Sequence, residues 1–179
     1  MKKIKKGKVI TVTTMKGGVG KSNVLLTLAG MFYNLGKKIL IIDLDLYSGD
    51  VGFILNLKQT SSIFNLCDDI NNNRYKADKI SNYLGKYNDN IYALTAPKDP
   101  RQASKINPSY VELIINGLSN KFDVILIDTT HVLNPYNMMA FSVSDKILEV
   151  FTNDALDMTS TKSFISICKN MGVDNVITV

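Results

Sequence analysis

Met15-Lys16-Gly17-Gly18-Val19-Gly20-Lys21-Ser22 connects two segments of different periodicity. The preceding residues 9–13 form an apolar run rich in β-branched side chains, which predicts a buried strand. The following residues 24–35 carry apolar side chains at helical spacing and stop at Gly36, which predicts a helix. A glycine-rich turn between a strand and a helix is the context of a phosphate-binding loop, because glycines let several backbone N–H groups point at one anion.

Two side chains of this turn fit the chemistry of a bound nucleotide and its metal ion. Lys21 would reach the β- and γ-phosphates, and the Ser22 hydroxyl would hold Mg²⁺. The N-terminus of the following helix adds a partial positive charge. The alternative is a glycine turn whose lysines are simply exposed on the surface. We favour the phosphate-binding loop because the motif, the strand and the helix agree.

A second apolar run, residues 39–42, ends in the two carboxylates Asp43 and Asp45. Strands that are apolar on both faces belong to parallel sheets covered by helices. The carboxyl ends of such strands carry the chemistry in open α/β folds, so we expect both carboxylates at the same rim as the phosphate loop. The alternative is a pair of strand-end carboxylates that only cap a turn.

The rest of the chain continues the alternation of strands and helices. Residues 61–85 form a polar, helical excursion, and Asn107-Pro108 begins a helix with Asn as its N-cap and Pro as its first residue. Asn134-Pro135 opens another helix, and residues 157–171 form the last one. We predict an α/β fold with a mostly parallel sheet, helices on both faces, and strands near residues 8–14, 38–43, 91–95, 123–128, 146–151 and 175–179.

Composition is that of a soluble globular protein. The 179 residues suggest one domain, with 45% hydrophobic and 21% charged residues. No apolar run approaches the ~20 residues of a membrane span, and the N-terminus lacks the apolar segment of a signal peptide. Cys67 and Cys168 are far apart and lack metal-ligand spacing, so we interpret them as reduced thiols of a cytoplasmic protein. The final run, 176–179, resembles the start of a strand, so we expect the domain to be truncated at its C-terminus.

The net charge of +5 is located at the N-terminus. Five lysines account for all of it, so the remainder of the chain is neutral; they are Lys2, Lys3, Lys5, Lys6 and Lys8. A basic leader over residues 1–7 could contact nucleic acid or anionic lipid. We favour a solvated leader before the first strand, and nucleic-acid binding is not indicated.

The chain resembles the ParA/MinD ATPases, a P-loop NTPase family, over its whole length. The deviant phosphate loop of that family, K-G-G-x-G-K-[ST], matches residues 16–22 at every fixed position. Within the family the chain looks most similar to the CpaE/TadZ branch, which places pilus or secretion machinery. The matching stretches of this branch are D-L-D-L-x-S-G-D-V at residues 43–51, L-T-A-P-x-x-P-x-x-A at 94–103 and the strand 122–129 that ends near Asp128.

This resemblance implies ATP and Mg²⁺ as cofactors and a role for each motif residue. Phosphates would be bound by a set that comprises Lys16, Gly17, Gly18, Val19, Gly20, Lys21, Ser22 and Asn23. Ser22 and Asp128 would hold Mg²⁺. Asp45 would position or activate the attacking water, and Asp43 would assist near the metal. Lys16 would cross a dimer interface to the partner's nucleotide, as an arginine finger does in trans.

The implied function is an ATP-hydrolysing switch that dimerises with ATP and dissociates after hydrolysis. It would position or assemble a pilus or secretion machine from the cytoplasm or the inner face of the membrane. One alternative is a positioning ATPase like MinD, ParA or the flagellar-number regulators. Another is a nucleotide-binding scaffold with little turnover, although a scaffold need not keep all six charged or hydroxyl residues of the motifs. A related bacterial tyrosine kinase is disfavoured, because those kinases lack the K-G-G form of the loop and carry a tyrosine-rich tail that this sequence does not show.

Two further residues at the same rim keep open interpretations. His131, the only histidine, follows Asp128 by three residues. We favour a simple loop residue over a contact in a nucleotide-sensing switch. Arg101 is interpreted as a solvated charge on another loop of this rim.

Overall fold

The computed structural model describes residues 6–58 and 60–179, so most of the predicted basic leader 1–7 lies outside the described residues. The strands of the described part are Lys8–Thr13 (β1), Ile39–Asp43 (β2), Gly85–Lys86 (β3), Ile91–Leu94 (β4), Val124–Asp128 (β5), Lys146–Glu149 (β6) and Val176–Thr178 (β7). The α-helices are Lys21–Asn34 (α1), Val51–Ile54 (α2), Ile63–Asn71 (α3), Ser109–Leu118 (α4), Pro135–Val143 (α5) and Ala155–Asn170 (α6). Two 3₁₀ helices cover Ala77–Tyr83 and Pro100–Lys105.

All these strands form one sheet in the order β3-β4-β2-β5-β1-β6-β7. Every neighbouring pair is parallel except β3 and β4, which are antiparallel. The predicted mostly parallel sheet is therefore confirmed. The strand β3 was not predicted, because two residues are too few to show any periodicity.

Helices cover both faces of the sheet, as the continuous apolar strands indicate. In β2, Ile39 and Ile41 pack in a cluster with Leu25 of α1. The alternating Leu40 and Ile42 pack on the opposite face, in a cluster that also contains Leu66 of α3 and Ile114 of α4. The predicted two-sided cover by helices is confirmed, and β2 has its apolar side chains buried on both faces.

Element boundaries differ from the predicted ones where side chains cap the ends. Helix α6 begins at Ala155, two residues earlier than predicted, because the Asp154 carboxylate accepts a hydrogen bond from the backbone N–H of Asp157. Helix α4 begins at Ser109 rather than Pro108, and the Asn107 side chain accepts from the Ser109 N–H. The segment around Arg101, predicted as a loop, is a 3₁₀ helix that Pro100 opens.

The described helices are each too short or too polar to cross a membrane. Cys67 and Cys168 are both buried and free of a disulfide, as predicted.

The order of the central strands positions the predicted chemistry. The strands β2, β5 and β1 are neighbours and run in the same direction. Their carboxyl ends therefore lie side by side, with Asp43 paired in register with Asp128 and the glycine-rich turn directly after Thr13. This edge is where open α/β sheets bind their ligands.

Candidate functional site

The glycine-rich turn has a backbone conformation that favours glycine at two points. Gly18 has φ 79° and Gly20 has φ 90°, in the left-handed region that other residues rarely adopt. Gly20 is also the N-cap of α1, and no side chain caps the helix there. The free N–H groups of the first turn and the positive end of the helix dipole are therefore available to an anion.

Lys21, Ser22 and Asp128 meet at the start of α1. The Lys21 ammonium forms an ion pair with Asp128 Oδ1, and Ser22 Oγ donates to Asp128 Oδ2 at 2.9 Å. Asp128 is only 2% exposed. Burial raises the pKa of its carboxyl group, and the neighbouring Lys21 charge opposes that shift.

Asp43 lies directly beside Asp128 and is fully buried. Burial raises the pKa of Asp43 to about 8, and the nearby Asp128 carboxylate acts in the same direction. Its two oxygens accept hydrogen bonds from the backbone N–H groups of Asp45 at 3.1 Å and Val51 at 3.3 Å. Asp43 therefore holds both ends of the segment from Asp45 to Val51 by hydrogen bonds. Its role near a metal stays a prediction.

A cavity of about 330 Å³ lies over the glycine-rich turn. It brings together seven of the predicted site residues: Gly17, Gly18, Gly20, Lys21, Ser22, Asn23 and Asp45. Thr14, Ser48 and Asp50, which were not among the predicted site residues, also line it. A larger cavity of about 530 Å³ lies between α2 and residues 95–98, and no predicted site residue lines it.

Lys16 and Val19 are placed outside this cavity's lining. Lys16 Nζ lies 2.5 Å from Asp154 Oδ2, and the hydrogen bond with Asp154 raises the pKa of Lys16. The same contact lowers the pKa of Asp154. Val19 is half-buried against the core cluster under α1, so its side chain is structural. Sequence reasoning missed the contact of Asp154 with Lys16. The sequence indicates Asp154 only as an N-cap, because Asp is common directly before a helix.

His131 lines the cavity from the loop that follows β5, on the side of Gly17. The structure therefore places it in a loop at the rim, as expected, and its role there stays a prediction. Arg101 is exposed, as predicted, and pairs with Asp99 through its guanidinium at 2.8 Å.

The residues at this edge fit a Mg²⁺ ion that arrives with a nucleotide. The described residues contain no group of three or more His, Cys, Asp or Glu side chains arranged to hold a metal by themselves. Mg²⁺ prefers one or two carboxylates with phosphate oxygens and waters, and Asp128 with the Ser22 hydroxyl offers such a partial set. When bound, this ion would neutralise phosphate charge.

The sequence matches the family model described as "AAA domain" over residues 7–174. It is 26% identical over 166 residues to the septum site-determining protein MinD of Thermotoga maritima, covering 93% of this chain and 60% of that protein. The fold is similar to that of a ParA family ATPase from Chlorobium tepidum, with a TM-score of 0.84, 15% identity, and coverage of 96% of this chain and 72% of the other.

A second similar structure contains a nucleotide. It is the septum site-determining protein MinD complexed with Mg-ADP from Pyrococcus horikoshii, with a TM-score of 0.79 and 22% identity, covering 95% of this chain and 68% of the other. The chain spans about half the length of the curated relatives it matches.

Proposed function

This chain belongs to the AAA-domain family and is of the ParA/MinD type within the P-loop ATPases, and on that premise we propose that it is a Mg²⁺-dependent ATPase that switches between monomer and dimer to position a cellular structure. The observation that carries the proposal is the convergence of Lys21, Ser22 and Asp128 beneath a glycine turn open to an anion.

The phosphate chain of ATP would occupy the cavity over the glycine-rich turn. Lys21 provides a compact positive charge for the β- and γ-phosphates, and the backbone from Gly17 to Gly20 provides N–H donors. The ion pair and hydrogen bond that now join Asp128 to Lys21 and Ser22 would be exchanged for contacts with phosphate and Mg²⁺. Asn23, at the same cavity, would contact the nucleotide from the first turn of α1.

Asp45 is the proposed group for the attacking water. It lines the cavity, and its Oδ1 accepts a hydrogen bond from the Ser48 N–H at 3.3 Å, which holds the carboxylate at the rim. Phosphoryl transfer to water depends on charge neutralisation and on a positioned nucleophile. Asp43 would support this step by holding the backbone of Asp45 and, in the predicted role, by assisting near the metal.

Lys16 is the proposed contact between two copies of the chain. Its side chain is exposed and outside the cavity of its own protomer, which supports a role across a two-fold interface. There it would meet the partner's nucleotide, so that hydrolysis depends on dimerisation. The dimer would exist with ATP and separate after hydrolysis.

The cellular structure that this switch would position is inferred by analogy with the relatives. The MinD relatives favour a MinD-like or ParA-like positioning ATPase that acts in the cytoplasm or at the inner face of the membrane. The finer hypothesis, a CpaE/TadZ-like role in pilus assembly, rests on the three matching stretches at residues 43–51, 94–103 and 122–129. Pilus-assembly genes next to the gene for this protein would support the CpaE/TadZ-like role. Cell-division genes there, without pilus genes, would favour the MinD-like role.

A phosphate-release assay with purified protein, ATP and Mg²⁺ tests the central proposal. We expect slow turnover. The rate per protein molecule should rise with protein concentration, because two copies form the proposed active unit. Lys21→Ala should bind no ATP by calorimetry, because the concentrated phosphate charge loses its counter-charge. A parent that binds ATP and dimerises without turnover would instead identify the scaffold alternative, and a Lys21→Ala variant that binds ATP normally would refute the phosphate-loop assignment.

A further inference from the structure

We propose that Glu149 and Asp157 form a buried acid pair that retains one proton in the folded protein, and that this pair positions Lys16. The role for Lys16 rests on the proposed function, whereas the retained proton does not. Glu149 ends β6, the strand beside β1, and Asp157 lies in the first turn of α6. Neither residue belongs to a motif of the sequence analysis, and neither lines the cavity over the glycine-rich turn.

Both carboxyl groups of the acid pair are withdrawn from water. Glu149 is fully buried and Asp157 is 1% exposed. Glu149 Oε1 accepts a hydrogen bond from the Thr161 hydroxyl at 2.9 Å, but Oε2 has no hydrogen-bond partner among the described residues. Asp157 Oδ1 is likewise buried without a partner in the described part of the chain. A buried carboxylate oxygen without a donor is costly, so these groups require a proton, a donor or a counter-charge.

The fold brings the acid pair to one interface between the sheet and α6. Asp157 and Thr161 are four residues apart in α6 and therefore lie on one face of the helix, and Thr161 contacts Glu149 directly. Thr13 pairs in register with Glu149, and its hydroxyl is also buried without a partner within the described residues. A protonated Glu149 would add an O–H donor to this interface, which contains unfilled acceptors.

The charges around Glu149 favour a proton on it. Burial raises the pKa of Glu149 above its ordinary value of 4.5, the Thr161 hydrogen bond opposes this shift, and the Asp157 charge adds to it. The other titratable group of α6 beside Glu149 is Cys168, and burial raises the pKa of that thiol to about 11, so it stays neutral. The neighbours of Glu149 in β1 and β7 are both threonines and carry no charge. Among the described residues, Asp157 is thus the charge that acts on Glu149, and it is a like charge.

Asp157 connects the acid pair to the segment that holds Lys16. Its Oδ2 accepts a hydrogen bond from the Thr152 N–H at 2.6 Å, and the Thr152 hydroxyl lies 2.7 Å from Asp154 Oδ2. Asp154 in turn accepts from the Asp157 N–H and forms the ion pair with Lys16. The contact that holds Lys16 therefore depends on a buried carboxylate, and a second negative charge on Glu149 would repel that carboxylate from its place.

Carbon-13 labelling of glutamate tests the proton directly, because the sequence contains two glutamates, Glu112 and Glu149. Glu149→Gln identifies the Glu149 carboxyl signal by its loss. We expect this signal to titrate in the parent with a midpoint above 4.5. Asp157→Asn should lower the midpoint, because it removes the neighbouring charge. Asp174→Asn removes an exposed carboxylate and should leave the midpoint unchanged.

Amide hydrogen exchange of the parent and of Glu149→Gln, compared at the same pH, tests the positioning role. Gln keeps an oxygen acceptor for Thr161 but cannot ionise, so this variant should hold the Thr152 and Asp157 amides at every pH. The parent should lose protection at these two amides as pH rises through the Glu149 midpoint. Its ATP-dependent dimer fraction should rise over the same range relative to Glu149→Gln, because Lys16 is released.

Each part of the inference can fail separately. A Glu149 midpoint at or below 4.5 refutes the retained proton, and a midpoint that Asp157→Asn does not lower refutes the pair. A midpoint that changes when sodium or potassium replaces tetramethylammonium at constant ionic strength would identify a bound metal ion in place of the proton. Equal amide exchange in the parent and Glu149→Gln above the midpoint refutes the positioning role. If the parent binds no ATP, the proposed function fails, and the carboxyl titration still decides the proton.

Discussion

Lys16 Nζ and Asp154 Oδ2 form an ion pair at 2.5 Å, so the second lysine of the glycine-rich turn is held by its own chain. Both side chains are about half exposed, and solvent therefore screens their attraction. The attraction to Asp154 opposes movement of the Lys16 ammonium toward a partner's nucleotide. The pair therefore competes with the proposed interface contact, and this competition can be measured.

Asp154→Asn should release Lys16 and increase the ATP-dependent dimer fraction at a given protein concentration. The Asn side chain keeps an oxygen acceptor for the Asp157 N–H, so the cap of α6 and the melting temperature should change little. Light scattering with ATP and Mg²⁺ measures the dimer. Lys16→Ala is the opposite control and should bind nucleotide but neither dimerise nor hydrolyse it. A dimer fraction in Asp154→Asn at or below the parent's would contradict the competition.

Asp45→Ala should bind ATP with nearly the parent's affinity and hydrolyse it roughly 10²-fold more slowly, because the attacking water loses its positioned carboxylate. Phosphate release and calorimetry on the same preparation separate the two effects. Glu112→Ala, on the exposed side of α4, is a suitable control and should match the parent in both assays. A variant that loses affinity and turnover in equal proportion would show that Asp45 binds the nucleotide instead.

Asp43 should make the protein less stable as pH rises. Its pKa of about 8 in the folded state lies far above the ordinary value of 3.8. Between these values the folded state holds a proton that the unfolded chain has lost, so the free energy of unfolding falls as pH rises and levels off above pH 8. Asp43→Asn cannot titrate and should lose less stability between about pH 5 and about pH 8. Thermal unfolding of both proteins across that range checks the difference, and parallel curves would disprove the raised pKa.

Gly49→Ala should destabilise the protein by about 1–3 kcal/mol, because there is no room for a side chain. A Cβ atom there would lie 2.7 Å from the Ala96 side chain and would collide with the Asp43 carboxylate. Gly30→Ala in α1 is the matched control, since its Cβ would have nothing within 4 Å. That change should stabilise the helix by about 0.5–1 kcal/mol. Urea unfolding curves give both values, and a neutral Gly49→Ala would mean that the Asp45–Val51 segment adapts.

The sheet could be predicted from sequence because its central strands are apolar on both faces. The apolar runs at β2 and β5 each end in a carboxylate. These carboxylates indicated which edge of the sheet carries the candidate site. The strand β3 and the 3₁₀ helix at Pro100 could not be predicted in this way. Each is too short for periodicity to show, although both are held by contacts with nearby residues: β3 pairs with β4, and Asp99 caps the 3₁₀ helix.

The candidate site was predicted where a motif is local and missed where the contact is tertiary. Lys21 and Ser22 belong to one short motif, and Asp128 ends a strand that is recognisable from its apolar residues. The ion pair between Lys16 and Asp154 joins residues that are far apart in the sequence and belong to different elements. No spacing rule relates such residues, so their roles became visible only once the chain was folded.

The strand order also constrains the sequence of events as the chain is synthesised. The strand β1, which carries the glycine turn, pairs with β5 and β6 and not with β2, the strand that follows it along the chain. A ribosome therefore releases the turn long before either neighbour of its strand exists, and pairings this distant in sequence form slowly. Asp128 emerges only with β5. If the glycine turn binds nucleotide as proposed, the contribution of Asp128 to that site becomes available only after β5 has been synthesised.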